Sequence, residues 1–593
     1  MSAIIKERLS LIRKHMAAKS IDTFILTRFD PHQSAYGREN WNYVKYFSGF
    51  SGSAGMAVVT TDKAAFWTDG RYALQSQAEL KDTEFLIFNT HVPTDISLDN
   101  FVRESTPENG AISFDERTLS VKMADDLIKY VSDKKISFKP GMEVISASMP
   151  NPPQPPKSEA FVYDIKYAGE SLHDKLARVR EVMSKKGATH YIISSLEDIA
   201  WTLNIRSKTD QTLAFEAYLI ISEQDAALFV DDEIIAPIKA HLEKEGVKIH
   251  GYNDIYGYVK ASPAKDSSIL IAPPRTCFAL FDALKGYNII TIDTDITTNF
   301  KAIKNDIEIK NYKRVTLEDG VSFTKFIKWI KEKSKSEVIT EHEAWNKLNE
   351  IRALSDSFIR ANDVGIVGHG PNGAIIHYKP DAEGCSEIKP HGMLLVDSVG
   401  YYLGGTTDIT RTLVLGEITD EMRRNFTLVL KCHIALASLT FLEGMNGHYL
   451  DIVARRPLWD DMLDFKHGTG HGISAALSVH EGPQRIATQP NLVPIAVGML
   501  MSNEPGFYKN GEYGIRLENI IMAKERGKSP YGTFLCFETV SFAPFDLAAI
   551  DKELLSGFEI DWLNNYHKEV FEKVSPYLDE EEKKWLKNET RSI

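Results

Sequence analysis

Five side chains that can bind metal lie in apolar, strand-like segments between Ile376 and Asn519. They are Asp397, Asp408, His471, Glu504 and Glu518. Four carboxylates and one imidazole suit two divalent cations of the Mn, Co or Zn type better than one structural zinc ion. Two such cations about 3.5–4 Å apart can share carboxylates, hold a hydroxide between them and polarise a carbonyl. The set therefore predicts a dinuclear metallohydrolase.

The first two acids, Asp397 and Asp408, are separated by the glycine pair Gly404-Gly405. Apolar residues run into Asp397 and β-branched residues follow Asp408, so we expect a hairpin with both carboxylates on one face. The alternative is two acids at strand ends beside a turn. That alternative is weak for a carboxylate flanked by Leu-Leu-Val, because burying an unpaired charge is costly.

A second hairpin is predicted around Glu504 and Glu518, with a Pro-Gly turn between them. By period two, Arg516, Glu518 and Ile520 would share one face of the returning strand. A surface hairpin is again the alternative. Two hairpins that each carry a carboxylate on each strand favour a metal site over coincidence.

Histidines cluster by position in the same region. His467 and His471 stand among glycines in HGTGHG, where backbone or substrate can come close. His377 and His480 each end an apolar stretch and could hydrogen-bond a substrate or a developing oxyanion, although either alone could be structural. His391 lies in a polar loop, and we expect no function for it.

Composition narrows the class of protein. With 593 residues, 43% hydrophobic and 25% charged, the chain is a globular protein of several domains. A net charge of −13 argues against nucleic acid and anionic membrane as partners. Four scattered cysteines indicate a reducing compartment and no cysteine-bound zinc. No Walker-type loop or GxSxG elbow occurs, which disfavours phosphate chemistry and a serine nucleophile.

The chain's first residues predict an amphipathic helix with an apolar stripe of Ile4, Leu9, Ile12 and Met16, and no signal peptide. No run approaches the ~18 apolar residues of a membrane span. We therefore expect a cytoplasmic protein.

Two α/β blocks and a third region follow one another along the chain. Met149–Lys157 has five prolines in nine residues and predicts a stiff linker between the blocks. The blocks share a layout of helix, strand, helix and further strands, which suggests a duplication. From about Asn305, two amphipathic helices precede the carboxylate hairpins.

The motifs GAIIHY, VDSVG, GTTDITRT, HGTGHG, VHEGP, NEPG and GIRLEN, in this order, resemble the metal-binding domain of the pita-bread hydrolases. That group includes aminopeptidase P, prolidase, methionine aminopeptidase and creatinase. One departure is Val399, where the family often has glycine. It raises a question about loop shape more than about metal binding.

DPHQSAY, FSGFSGSAG, WTDGRY, EDIAW, FETVSFAP and WLNNYH extend the resemblance to the three-domain, eukaryotic-cytosolic type of aminopeptidase P over nearly the whole chain. The fold implied is α/β (α+β), with two N-terminal creatinase-like α/β domains, 1–155 and 156–305, and a C-terminal pita-bread metallopeptidase domain, 306–593. The resemblance also implies a homodimer in the cytoplasm.

The activity implied is cleavage of the N-terminal Xaa-Pro bond of peptides with proline second. By resemblance, Asp397 binds one metal bidentately, His471 and Glu504 hold the other, and Asp408 and Glu518 bridge. Glu504 would also shuttle the proton of the bridging hydroxide. The family's usual metal is manganese, with cobalt or zinc compatible with the same donors.

The remaining residues have roles at the substrate by the same resemblance. His377 and His480 would hold the substrate and stabilise the gem-diolate, and His467 would line the proline pocket. Arg516 would orient Glu518 or a neighbouring carboxylate. Two alternatives stay open: an Xaa-Pro dipeptidase, and a non-catalytic binding protein of the same fold.

Overall fold

The computed structural model describes residues 2–155, 157–363 and 365–593, which fall into two compact units. The first unit runs as far as Tyr163 and resumes over Glu170–Thr297. The second contains Asp164–Gly169 and Thr298–Ile593. The predicted three-domain division, with boundaries at residues 155 and 305, stays a prediction. The predicted linker lies in irregular backbone, except Pro156, which is outside the described residues.

The first unit holds two six-stranded sheets with the same strand order and directions. In each sheet the first strand lies between an antiparallel second strand and a parallel fifth strand. The fourth and sixth strands form the edges. This shared topology is what the predicted duplication requires. The strands of the first sheet are β1 Thr23–Leu26, β2 Met56–Thr60, β3 Ala64–Thr68, β4 Phe85–Asn89, β5 Ala111–Phe114 and β6 Ser137–Pro140.

A short pair and the second sheet complete the strands of this unit. The pair is β7 Ala160–Val162 with β9 Ile205–Ser207. The second sheet contains β8 His190–Ile193, β10 Ala217–Ser222, β11 Ala226–Val230, β12 Val247–Gly251, β13 Ser268–Ile271 and β14 Asn288–Thr291.

The first helix corrects one predicted residue. Ile5 is 2% exposed and packs with Leu9, whereas Ile4 is 52% exposed. At 100° per residue, Ile4 lies about 140° from Leu9 around the helix axis, so it falls outside the stripe. The helices of the first unit are Ser2–Ala18, Tyr43–Ser48, Ala73–Leu80, Leu98–Ser105, Val121–Tyr130, Met142–Ser148, Leu172–Lys185, Leu196–Thr202, Asp232–Ile235, Lys239–Lys244, Ile255–Ala261 and Phe278–Ala283.

The second unit is built from a four-stranded sheet, a six-stranded sheet and two short pairs. The four-stranded sheet contains β16 Phe358–Ala361, β17 Ile366–His369, β19 Met393–Tyr402 and β20 Gly405–Val414. The six-stranded sheet contains β21 Thr440–Leu442, β22 Gly470–Gly472, β23 Glu481–Ile486, β24 Leu500–Asn503, β27 Asn519–Ser529 and β28 Gly532–Thr539. The pairs are β15 Ile339–Thr340 with β18 Glu387–Ile388, and β25 Gly506–Lys509 with β26 Tyr513–Arg516.

A long helix packs against the four-stranded sheet. Phe323 and Ile327, from the predicted long helix, pack with Leu394 and Ile409 of β19 and β20. Among the described residues, no helix combines the length and apolarity needed to cross a bilayer. The helices are Ile165–Ala168, Ile296–Ala302 (which contains the boundary between the units), Asp306–Lys333, Glu341–Arg352, Asp420–Ala437, Gly447–Trp459, Gly557–Val574 and Glu580–Glu589.

Candidate metal centre

The first predicted hairpin is confirmed as β19–β20. Asp397 pairs with Thr410 and Val399 pairs with Asp408 in antiparallel register. Because side chains alternate, both acids lie on the same face. Val399 lies inside a regular strand opposite Asp408 and is 6% exposed, so this departure from the family pattern does not disturb a loop.

The second predicted hairpin is not continuous. β24 pairs with β27, but the segment between them forms the separate β25–β26 hairpin. Around this break the backbone N–H of Leu517 donates to Pro505 O, and that of Glu518 donates to Thr410 O. The strand is therefore interrupted after Arg516. The predicted uninterrupted returning strand is wrong, because the chain changes hydrogen-bonding partners there. The shared face of Arg516, Glu518 and Ile520 stays a prediction.

Side chains from five segments nevertheless meet at one place. One donor atom each of Asp408, His471 and Glu518 lies within 4.8 Å of the others. The Nε2 of His471 is 3.6 Å from Asp408 Oδ2 and 3.5 Å from Glu504 Oε1. Asp397 raises the pKa of both Asp408 and Glu518 electrostatically. All five predicted donors thus lie close to one another.

The hydrogen bonding of His471 leaves its outer nitrogen ready for a cation. Nδ1 lies 3.0 Å from Gly472 O and therefore carries the proton. The lone pair of Nε2 then faces oxygens of Asp408 and Glu504. A lone pair aimed at two carboxylates is repulsive unless a cation lies between them. The arrangement fits a metal site.

The acids of the centre also repel one another. Burial and the charges of Glu518, Asp397 and Glu504 raise the pKa of Asp408 well above its ordinary value. Burial, Glu504 and Asp397 do the same for Glu518. Divalent cations would remove this repulsion, and carboxylate-rich sets with one imidazole are what manganese, cobalt and zinc accept.

A chain of hydrogen bonds links Asp397 to His467. Arg516 donates to Asp397 Oδ2 at 2.5 Å and to the Tyr508 hydroxyl at 2.6 Å. The Tyr508 hydroxyl lies 2.8 Å from Nε2 of His467. Because Nδ1 of His467 bonds Gly468 O, Nε2 must be the acceptor from Tyr508. Arg516 is therefore hydrogen-bonded to both the Asp397 carboxylate and Tyr508, and its predicted orienting role stays a prediction.

The environment of His467 keeps its imidazole neutral. Burial lowers the pKa of His467 well below the ordinary value, and Arg516 lowers it further. His377 also lowers this pKa, which places its ring within electrostatic reach of His467. Arg516 donates to Ile376 O at 3.4 Å, so it also holds the backbone beside His377.

His480 lies at the open side of the centre. Its ring centroid is 4.2 Å from that of His471, and its side chain is exposed. The next residue, Glu481, is buried and bonds Lys301, Lys304 and Ser474. This buried carboxylate fixes the chain beside His480. The only indication of this role in the sequence was the position of Glu481 in the VHEGP motif.

Two further residues that the sequence did not reveal hold the HGTGHG loop. Asp451 accepts hydrogen bonds from Arg455 at 2.7 Å and from Thr469 at 2.6 Å. Arg455 also donates to His467 O. An acid and an arginine four apart on the helix Gly447–Trp459 are more typical of an exposed pair, so the pattern could not indicate this role.

Comparisons with known proteins agree with this geometry. Residues 310–525 match the metallopeptidase family M24, and 533–593 match the C-terminal region of peptidase M24. Residues 8–147 and 151–308 each match a creatinase/prolidase N-terminal domain. Aminopeptidase P2 of Arabidopsis thaliana is 36% identical, over 100% of this chain and 89% of its own length.

Among solved structures, the X-prolyl aminopeptidase of Caenorhabditis elegans has a TM-score of 0.94 at 30% identity, covering 99% of this chain and all of the other. It is described as a cytosolic enzyme with a di-nuclear active site. An Xaa-Pro dipeptidase from Bacillus anthracis has a TM-score of 0.51 at 21% identity and covers 64% of this chain and 99% of its own, which shows the fold alone. The predicted fold class, two creatinase-like domains ahead of a pita-bread metallopeptidase domain, is confirmed.

Proposed function

Because this chain belongs to the aminopeptidase P family of M24 metallopeptidases, we propose that it removes the N-terminal residue from peptides whose second residue is proline. The observation that carries the proposal is full-length similarity to an X-prolyl aminopeptidase together with five converging metal donors. Peptides are therefore its partners.

We assign the metal-binding role to the five predicted donors, with Asp408 and Glu518 as the bridging carboxylates. The buried, mutually repelling acids and the outward lone pair of His471 support this assignment. Two divalent cations, manganese in our proposal and cobalt or zinc as alternatives, would polarise the scissile carbonyl and lower the pKa of the attacking water. Asp397 would bind one of them bidentately, and His471 with Glu504 would hold the other.

Glu504 is the proposed general base. Its Oε1 lies 3.5 Å from His471 Nε2 and 3.3 Å from the Ser502 hydroxyl, at the edge of the donor cluster. From there the carboxylate can take a proton from the attacking water and give it to the proline nitrogen as the bond breaks.

Histidines surround the proposed substrate position. His480 and His377 would donate hydrogen bonds to the substrate and to the oxygen that becomes negative during attack. His467, neutral and held by Tyr508, would line the pocket for the proline ring. An imidazole without charge suits an apolar ring better than an imidazolium would.

The alternatives are less well supported. A prolidase of known structure covers only 64% of this chain, whereas the aminopeptidase P relatives span nearly all of it. A non-catalytic binding protein would be expected to lack metal donors, and all five are present. We further propose that the protein is a homodimer and that it is cytoplasmic. The cytosolic location of the C. elegans relative supports the proposed location.

Hydrolysis of three peptides by manganese-loaded protein tests this function. The peptides are an Xaa-Pro-Pro tripeptide, the matching Xaa-Pro dipeptide and an Xaa-Ala-Ala control. We expect cleavage of the first with little of the others. Preference for the dipeptide would instead identify a prolidase. No cleavage with two cations bound would favour a binding protein.

Chelation separates catalytic from structural metal. We expect a chelator to abolish cleavage while the circular dichroism of the chain stays close to native, because both sheets of the first unit have their own apolar cores. A global loss of structure on chelation would make the metals structural.

A further inference from the structure

Two buried threonines stand beyond Asp408 at alternate positions of β20. Thr410 and Thr412 are 0% and 1% exposed, and period two places them on the same face as Asp408. Threonine is common in strands because its branched Cβ fits the pleat. That preference does not explain the hydrogen-bond partners of the two hydroxyls. Both hydroxyls bond residues outside the β19–β20 hairpin.

Thr410 holds Glu518 at two points. Its hydroxyl donates to Glu518 Oε2 at 2.6 Å, and its backbone carbonyl accepts from the Glu518 N–H at 3.1 Å. Both the backbone and the carboxylate of Glu518 are therefore fixed against the strand that carries Asp408. A carboxylate has about four lone pairs, so one hydrogen bond leaves the others for cations.

Thr412 holds the backbone of Arg516. Its hydroxyl accepts from the Arg516 N–H at 3.0 Å and lies 3.2 Å from Arg516 O. The side chain of Arg516 donates to Asp397. Thr412 thus fixes the backbone of Arg516, whose side chain bonds the predicted metal donor Asp397.

These contacts stand where regular pairing stops. The strand is interrupted between Arg516 and Glu518, so no β-ladder aligns this segment with β20 apart from a single bridge between Thr410 and Glu518. The two hydroxyls supply the alignment that a ladder would otherwise give.

We propose that Thr410 and Thr412 are positioning residues for the metal centre. Thr410 orients the Glu518 carboxylate, and Thr412 sets the backbone from which Arg516 reaches Asp397. This inference rests on the proposed function for the role of the metals, but the contacts themselves do not depend on it.

Thr407 is a matched control on the same strand. It is 2% exposed, lies on the opposite face, and its hydroxyl bonds only the backbone of Gly400 across the hairpin among the contacts of the described residues. Thr407→Val removes the same group at similar burial without touching the donors.

Calorimetric titration of Mn²⁺ into chelator-stripped protein tests Thr410. Removing a group that orients a metal donor typically weakens metal binding about 10–100-fold, and we expect that loss for Thr410→Val. Thr410→Ser keeps the hydroxyl and should bind within a few-fold of wild type, as should Thr407→Val. Wild-type affinity in a folded Thr410→Val protein would overturn the role of Thr410. So would equal weakening in Thr407→Val.

Hydrogen exchange of the metal-free protein tests Thr412 without using metal or activity. Thr412→Val removes the acceptor of the Arg516 N–H, so this amide should exchange at least several-fold faster than in Thr407→Val. Equal rates would overturn the role of Thr412. If the wild-type protein bound no Mn²⁺, the proposed function and the metal-positioning role of Thr410 would both fail, whereas the exchange result would still decide whether Thr412 fixes the backbone.

Discussion

The two hairpins that carry the carboxylates differ in how their backbone reaches the metal centre. β19 and β20 pair without interruption from Met393–Val414 to Tyr402–Gly405. β24 and β27 pair only up to Asn503–Asn519, beyond which the separate β25–β26 hairpin begins. Glu504 and Glu518 lie in the gap between these ladders.

This difference in backbone pairing corresponds to two different roles at the metal centre. An unbroken ladder sets the spacing of Asp397 and Asp408 through backbone bonds alone. The interruption of the ladder allows other contacts to form. Here the inserted β25–β26 hairpin carries Arg516 and Tyr508, and Arg516 bonds both Tyr508 and Asp397. We infer that the regular hairpin provides a rigid base, whereas the interrupted one provides the group that moves protons and the side chains, Arg516 and Tyr508, that hold Asp397 and His467.

Replacing Glu504 by alanine should have the largest effect. The variant loses a metal donor and the general base together, so turnover should fall more than about 10³-fold. Steady-state cleavage of an Xaa-Pro-Pro peptide, with metal content measured alongside, checks this. Glu512→Ala, at the exposed tip of β25–β26 in the same interrupted hairpin, is the control and should keep full activity. Near-native turnover of Glu504→Ala with metal bound would remove the catalytic role from this hairpin.

Arg516→Met tests whether the inserted hairpin supports the regular one. Asp397 loses a charge-assisted hydrogen bond at 2.5 Å, so Mn²⁺ affinity should fall about 10–100-fold. Calorimetry measures the change, and Arg526→Met on the exposed part of β27 serves as control. If both variants bind Mn²⁺ equally well, Asp397 is positioned by its own strand alone.

Tyr508→Phe should have a smaller effect. It keeps the ring but removes the hydroxyl between Arg516 and His467. Two hydrogen bonds are lost, of which the one to His467 concerns the substrate. Its loss costs about 1 kcal/mol, or roughly fivefold, and we expect this in KM because His467 is proposed to contact the proline ring. Tyr531→Phe, on an 85% exposed tyrosine, should leave KM unchanged. A change confined to kcat would move Tyr508 from substrate binding to the chemical step.

The same contrast explains how far sequence reasoning succeeds. Asp397 and Asp408 were placed on one face correctly because an apolar run, a Gly-Gly turn and a β-branched run are all local signals. The break before Glu518 could not be predicted in the same way. At this break Glu518 bonds Thr410, which lies 108 residues earlier in the chain, and no local pattern records such a partner.

Missed residues follow the same rule. Tyr508 gave no signal because an aromatic residue in a short strand is usually core. Asp451 and Arg455 were hidden because their spacing is also that of a solvated helix pair. Ile4 was chosen over Ile5 because the two are adjacent and only the exact rotation of the helix distinguishes them.

The last expected effect concerns stability rather than turnover or metal binding, and it tests the contact between the interrupted hairpin and the helix packed against it. His433, on the helix Asp420–Ala437, is buried and bonds Leu517 O at 3.2 Å. Burial and the charge of Arg411 lower the pKa of His433 from 6.5 to about 3. A histidine with a lowered pKa is stable in its neutral form, so its contribution is complete above pH 6.5 and is lost as pH falls towards 3.

His433→Asn should therefore flatten the acid side of the stability profile. The slope should differ from that of wild type by up to about 1.4 kcal/mol for each pH unit over this range. His567, whose pKa burial also lowers to about 3, titrates in both proteins and does not affect the difference. Denaturant unfolding monitored on the second unit between pH 7.5 and 4 measures it. Parallel profiles would show that protonation of His433 does not destabilise the protein and that its contact with Leu517 O contributes nothing to the acid side of the profile.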